Sequence, residues 1–461
     1  MKIACIGGAG YYFLRPISDI CVTPELDGCT ISIYDLDLDR AKLMAITANR
    51  LSREAGATVT AEAASTLENA VQDADFVITS IGGAGATGST GYYDSPVHLG
   101  DKVICARHGV PQVVGDTAGP AAMMAAFRSV PIHMEICRAI EKHAPNAILL
   151  NHANPMAVLC RAMNQHANLR CVIGICHGVQ EGIAHVADIL KVNAKELECI
   201  WIGTNHYYWF TRLRHRNRDV LPDLWRQVAA AKPKAGTEMC HDLSMIYRHW
   251  IVYPSDDHVI EFYPYTASAN DIRSLPYGLS ENVFVERQLP ILDGDVCLDD
   301  LATNDQADSR LDILTRYEAR LNQTTLPVNA EDPITGEGTG RLIADMVMGR
   351  RNVHICNIPN RGAIPNLPAD ALVEVEAITD SMGVRPVYAG HAPPVLEAIL
   401  RKRFAWQQLV VDAAMGCDRH LALQAMLVDE SALPPDRSRA LLDELLAHNA
   451  DHLDERWDRT R

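Results

Sequence analysis

The sequence predicts an α/β fold, with a parallel sheet flanked by helices over residues 1–195 and an α+β second domain over residues 196–461. Three observations carry that expectation. Short β-rich apolar runs alternate with helical stretches through the first part of the chain, which is the pattern of βαβ units in a parallel sheet. A glycine-rich turn, IGGAGYY at Ile6 to Tyr12, follows directly on the first apolar run. After about Val192 the alternation stops, and aromatic-rich strands and long helical segments take its place.

Taken in order, Lys2 to Ile6 reads as the first strand. Pro16 opens a helix, since proline is tolerated at a first helical position where its missing N–H has no partner to lose. Thr30 to Tyr34 is a second strand. The stretch DRAKLMAITANRLSREAG from Asp39 has apolar residues at helical spacing and a glycine just past its end. Further strands are expected at Phe76 to Ile81, Ala147 to Leu150 and Val172 to Ile175. NPMAVLCRAMNQHA is a helix with Asn154 as its N-cap, because an Asn side chain accepts from free backbone N–H groups. Beyond Val192, Cys199 to Arg212 is an aromatic-rich strand region, Tyr253 to Tyr265 is rich in Pro and Tyr, and Asn304 to Asp332 is a polar loop or short helix pair.

Bulk properties exclude several function classes. With 461 residues and 48% hydrophobic content, the chain can bury a substantial core. A formal net charge of -16 argues against nucleic-acid or anionic-membrane partners, which need a clustered basic face. The opening MKIACIGGAG runs from an apolar strand straight into glycines, unlike a signal peptide. No segment approaches about 18 uninterrupted apolar residues. A soluble, cytoplasmic protein is expected. Its thirteen cysteines are scattered without a CxxC, as befits reduced thiols, most of them acting as small buried hydrophobes.

The turn after the first strand is a variant of the dinucleotide-binding glycine motif of Rossmann domains, with Gly7, Gly8 and Gly10 where backbone approaches a pyrophosphate. Asp35 ends the second strand, at about the separation expected of a carboxylate that bonds a ribose 2′-hydroxyl. A carboxylate there would repel the extra phosphate of NADP, so NAD is the expected cofactor. Gly82 and Gly83 follow the strand DFVITS, whose loop borders the cofactor in doubly wound folds. An ordinary strand-to-loop break reads the same way.

Two segments join residues suited to a transition metal: ICHGV, with Cys176 and His177, and GTNHYYW, with Asn205 and His206. A thiolate and an imidazole from separate strand ends can hold a divalent ion and leave positions open for substrate oxygens. Spacing alone does not separate such ligands from packed core groups. YPSDDHVIEFYPY concentrates Asp256, Asp257, His258, Glu261 and three tyrosines. These are groups that move protons in catalysis, and they suit a solvated loop with structural aromatics equally.

In order along the chain, KIACIGGAG, IYDLD, GDTAGP, LNHANP, CHGV, GTNHYYW, DDHVIEFYPY, and NIPNRGAIPNLP with ALVEV resemble glycoside hydrolase family 4, over essentially the whole sequence. The resemblance implies a lactate/malate-dehydrogenase-like two-lobed fold. It also implies NAD and a divalent ion, usually Mn²⁺, held by Cys176 and His206, with Asn154 touching substrate. Asp116 and Asn205, in matching segments, are expected beside it. The implied chemistry lies outside the usual two-carboxylate scheme. NAD oxidises the sugar at C3, a base removes the acidified C2 proton, metal stabilises the enediolate, the glycosidic bond breaks by elimination, and hydride returns after water adds.

For the base, the resemblance points to the Tyr-rich stretch, and we take Asp256 first, then Asp257, then Tyr263. His177 matches a residue implicated in assisting the leaving group. CHGV resembles the type found among α-galacturonidases and α-glucuronidases, whose substrate carboxylate calls for an arginine. One departure is that AGATGSTGYYD, after Gly83, lacks an arginine expected in many members. A homodimer or homotetramer is implied. Three rivals stand beside this reading: a neutral-sugar α-glucosidase or α-galactosidase of the same family, a malate- or lactate-type dehydrogenase that releases NADH, and a nucleotide-binding protein without chemistry.

Overall fold

The computed structural model describes residues 1–83, 95–252, 255–263, 290–301, 309–326, 338–431 and 433–459. The first six strands are β1 (Lys2–Ile6), β2 (Thr30–Tyr34), β3 (Thr60–Ala63), β4 (Phe76–Thr79), β5 (Ile148–Asn151) and β6 (Cys171–Gly174). They lie side by side in the order β3-β2-β1-β4-β5-β6, all parallel. β7 (Leu197–Thr204), β8 (Tyr207–His215), β9 (Arg218–Asp219) and β10 (Trp250–Ile251) make a separate antiparallel sheet. The chain then returns: β11 (Asn352–Pro359), β12 (Leu372–Asp380) and β13 (Gly383–Pro386) extend the first sheet, β11 antiparallel to β6 through Asn357 opposite Gly174. Both halves of the sequence thus share one sheet.

The central strands carry continuous apolar runs because both sheet faces are covered. Every residue of β4 and of β5 is buried. Alternate β1 side chains enter different cores: Ile3 and Cys5 pack with Phe13, Ile17 and Ile20, while Ala4 and Ile6 pack with Met124 and Phe127. In β8, Tyr207, Tyr208, Trp209 and Phe210 are all buried, so the small second sheet has a large aromatic core.

β1 lies between β2 and β4, where the strand order reverses, and in such sheets the crevice beyond the carboxyl ends at that point takes the ligand. The glycine turn leaves β1 there and Ser80–Gly83 leaves β4 there. Among the described residues no helix is long and apolar enough to cross a membrane.

Three local expectations shift. The helix expected from Pro16 spans Leu14–Val22, with Pro16 inside its first turn, where a missing N–H still costs little. Asn154 does not cap the helix Met156–His166: Pro155 stands at the cap, and the Asn154 amide donates to Asp116 instead. Within the polar stretch Asn304 to Asp332, the described part is a helix, Arg310–Asn322, capped by Ser309, whose hydroxyl accepts from the Asp312 N–H. The thirteen cysteines form no disulfide, and all but Cys171 and Cys297 are buried.

Candidate active site

The switch-point crevice is a cleft of ≈ 1340 Å³. At one end the glycine turn is folded tightly against the sheet. The Gly7 and Gly8 N–H groups both donate to the Tyr34 carbonyl, at 2.9 and 3.0 Å. Gly7 has φ +76°, and a Cβ there would sit 2.4 Å from the Ser80 carbonyl oxygen; one at Gly8 would sit 2.7 Å from that of Cys5. Only glycine permits that approach. Gly83, with φ +67°, is pressed as closely against Ser129 and Arg128.

Asp35 lines the cleft, and its carboxylate accepts the Ala9 N–H at 3.1 Å and the Asp37 N–H at 3.0 Å. It therefore closes the glycine turn from the end of β2 as well as facing the cleft. Burial raises its pKa, against the pull of those two backbone bonds. The helix Arg310–Asn322 comes from far along the chain to the same place. Arg310 pairs with Asp37, the Tyr317 hydroxyl donates to the Ala9 carbonyl at 2.6 Å, and the Arg320 guanidinium lies 3.8 Å over the Tyr11 ring. None of this helix was legible as part of the site, because nothing in its spacing points 300 residues back along the chain.

At the other end of the cleft, Cys176 follows β6 and His206 sits in the two-residue turn between β7 and β8. The Cys176 Sγ and His206 Nε2 are 3.4 Å apart, both residues nearly buried. His206 holds φ +60°, a left-handed conformation that this turn position ordinarily gives to Gly or Asn. A histidine there costs roughly 1 kcal/mol or more and persists because the surroundings impose it.

Thr117 fixes the tautomer. Its hydroxyl donates to Asp116 Oδ1 at 2.6 Å, and its oxygen lies 3.0 Å from His206 Nδ1. With its one proton given to the carboxylate, Thr117 accepts from Nδ1–H and leaves Nε2 as the lone-pair nitrogen facing Cys176. Burial pushes the His206 imidazole down to about 3, so it is neutral at physiological pH, as a metal ligand must be. Asp116, His206 and His258 each offer a ligand atom within 4.8 Å of one another.

Asp116 is itself held on a loop gripped by Glu261, whose Oε1 accepts the Val114 and Gly115 N–H groups at 2.8 Å each. Burial and the nearby Asp116 charge raise the Glu261 pKa. Asn154 Nδ2 donates to Asp116 Oδ2 at 2.6 Å, while its Oδ1 is buried at the cleft with no hydrogen-bond partner among the described residues. That orphan acceptor suits a hydroxyl or a cation. His177 also lines the cleft, with its side chain 34% exposed and Nε2 3.4 Å from Glu181.

The family 4 glycosyl hydrolase model matches residues 2–192, and the model of the family 4 glycosyl hydrolase C-terminal domain matches residues 201–432. The chain belongs to the family 4 glycosyl hydrolases. Its glycosidase relatives include an α-galacturonidase of Bacillus subtilis, 30% identical over 93% of each chain. An α-galactosidase of the same organism is 25% identical over 98% of this chain and 99% of its own. The 6-phospho-β-glucosidase of Thermotoga maritima, solved with manganese, NAD⁺ and glucose-6-phosphate, shares the fold with a TM-score of 0.74, at 20% identity over 98% of this chain and 100% of that one.

Within this family 4 glycosidase the proton-transfer residues need correcting. Asp256, the first choice for the base, is fully buried, and its two oxygens accept the Met239 and Cys240 N–H groups at 2.9 Å each. It serves the amino end of the helix Glu238–Tyr247 and does not line the cleft. Tyr263 packs its ring edge-on to Tyr207 inside the aromatic core and does not line the cleft, and burial drives its pKa far up. Asn205, expected at the substrate, is fully buried and donates to Glu374 Oε2 at 3.2 Å.

Asp257 reaches the site only through a neighbour: its Oδ1 is 2.9 Å from His258 Nδ1. His258 lines the cleft, with its ring 5.1 Å from that of His206. Burial pulls the His258 pKa down, but the Asp257 bond and charge, with Asp116 and Glu261, win and raise it to about 8. Burial likewise pushes Asp257 up, and its bonds from His258 and Ser255 outweigh that and leave it lowered. His258 stood in plain view inside DDHVIEF. Which residue of that run faces the cleft is set by one turn of helix, Asp256–Val259, and by the second sheet beneath it.

Proposed function

We propose that this glycosidase cleaves α-galacturonides or α-glucuronides with the help of bound NAD and a divalent ion, Mn²⁺ being the ion found with NAD⁺ in a structural relative. The observation that carries the reading is the coupling of two sites in one cleft: a glycine turn built for a pyrophosphate, and a Cys176–His206 pair with the Thr117–Asp116 support behind it. A plain dehydrogenase needs no such thiolate–imidazole pair.

When bound, NAD supplies a hydride acceptor and donor, and the metal supplies a Lewis acid beside the sugar oxygens. The residues present fit both groups. Gly7, Gly8, Gly10, Asp35, Gly82 and Gly83 would hold the dinucleotide, and Cys176 and His206 the ion, with Asp116 within reach. Asn154 Oδ1 accepts a sugar hydroxyl. Asp257 holds Nδ1 of His258, and we assign removal of the C2 proton to this pair, which replaces Asp256 as the base. His177, partly exposed beside Glu181, protonates the departing oxygen. The uronide preference rests on CHGV and on the α-galacturonidase relatives. A cytoplasmic homodimer or homotetramer remains part of the proposal.

The test is hydrolysis of p-nitrophenyl α-galacturonide, α-glucuronide, α-glucoside and α-galactoside by cofactor-stripped protein, with and without NAD, Mn²⁺ and reductant. Cleavage of a uronide that requires both additions is expected. Cleavage without NAD would sink the redox reading, and preference for a neutral glycoside would sink the uronide assignment.

A further inference from the structure

The turn that presents His206 is gripped from behind. Its first residue, Asn205, is fully buried and donates its amide to Glu374 Oε2 at 3.2 Å. The residue before it, Thr204, accepts at its hydroxyl from Gln407 of the helix Pro394–Gly416, at 3.2 Å. Glu374 lies on β12, in the extended first sheet, directly opposite Asn357 of β11. Its own carbonyl accepts the Trp201 indole N–H at 2.8 Å, so β12 touches β7 at two places along the hairpin.

Glu374 is 0% exposed and is bonded by the Asn205 amide, with no Lys or Arg ion pair among the described residues. A carboxylate buried with an amide rather than a charge is a poor way to stabilise a core, where an apolar residue of that size does better. Its position accounts for it. The Asn205 side chain ties the turn that holds His206 in its left-handed conformation to β12 of the first sheet.

We propose that Glu374 is a positioning residue for the metal site: through Asn205 it sets the β7–β8 turn so that His206 Nε2 meets Cys176 Sγ. The inference rests on the reading of Cys176 and His206 as metal ligands. It adds a residue 168 positions from His206 that touches neither metal nor sugar, and it makes the affinity for the ion depend on a contact between the two sheets. Supporting groups of this kind typically govern 10- to 100-fold in metal affinity.

Mn²⁺ binding is measured by electron paramagnetic resonance on full-length protein, alongside NAD affinity by calorimetry, the thermal midpoint, and the thiolate-to-metal absorption of the Co²⁺-loaded protein. Glu374→Ala and Asn205→Ala are each expected to weaken Mn²⁺ at least tenfold and to shift the Co²⁺ band, with NAD affinity within about twofold of wild type. Glu374→Gln keeps an acceptor oxygen and is expected to stay within about threefold for Mn²⁺. The double variant should be no worse than the worse single one, since both cut the same tether. Wild-type Mn²⁺ affinity in both alanine variants overturns the proposal, as does equal loss of NAD and Mn²⁺, which marks general damage. Cys176→Ala separates the two levels: if it leaves Mn²⁺ binding intact, the metal-site reading fails, whatever Glu374 does. Should Glu374→Ala not fold, Asn205→Ala and Glu374→Gln decide by the same criteria.

Discussion

At the scale of single residues, the site is a set of protonation states imposed by burial and by neighbours. His206 is kept neutral, pushed down to about 3, while His258, whose ring lies 5.1 Å away, is raised to about 8 by Asp257 and the acidic groups around it. Two imidazoles in one pocket are thus held in different protonation states, which suits the two tasks proposed for them, metal ligand and proton carrier. We expect His258→Gln to lower kcat by about 10²- to 10⁴-fold, the usual range for a proton-transfer group, with NAD and Mn²⁺ affinities little changed. Steady-state kinetics and binding on the same preparation check this. A kcat within tenfold of wild type would return the base to another residue.

Among the elements, the helix Glu238–Tyr247 explains why an acidic pair in the sequence divides its labour. Asp256 offers both oxygens to the N–H groups at the start of that helix, where a carboxylate also meets the positive end of the helix dipole. Asp257, one residue on, turns to His258. Asp256→Ala should therefore cost about 1–2 kcal/mol of stability, the upper range for a lost cap, and leave kcat per folded molecule within tenfold. Urea unfolding together with active-site titration measures both. Unchanged stability with lost activity would restore Asp256 as the base. The helix Arg310–Asn322 works similarly at the other end of the cleft, bracing the glycine turn through Tyr317 and Arg310.

For the whole molecule, buried titratable groups pull stability in opposite directions as pH changes. Burial pushes His98 down to about 3, with the nearby Lys102 charge adding to it, so the unfolded chain takes up a proton below about 6.5 while the folded chain stays neutral. That group costs stability as pH falls from 6.5. Glu374, raised by burial to about 7, works the other way: the folded chain is protonated there before the unfolded chain is, and stability rises as pH falls from 7 toward 4.5. The sum hides the parts, so the sign is best read from a variant. The stability advantage of wild type over His98→Asn should shrink by about 1.4 kcal/mol for each pH unit below 6.5. Chemical unfolding of both proteins at pH 7.5, 6.5 and 5.5 gives the answer, and a difference that does not change with pH would contradict it.

What the sequence determined by itself is what depends on neighbours along the chain. Alternating apolar runs specified the parallel strands, and a glycine turn after β1 with Asp35 after β2 specified one end of the cleft, because strand period, turn stereochemistry and short loops are local properties. Cys176 and His206 stood at strand ends in the sequence, but only the tertiary structure puts them 3.4 Å apart. Tertiary structure decided the rest. That β11–β13 join the first sheet, that a helix near residue 317 braces the glycine turn, and that Glu374 holds Asn205 are contacts between distant segments, which no spacing records. The choice among Asp256, Asp257, His258 and Tyr263 was of the same kind: all four have suitable chemistry, and only packing of the short helix Asp256–Val259 between the cleft and the aromatic core of the second sheet exposes one and buries the others.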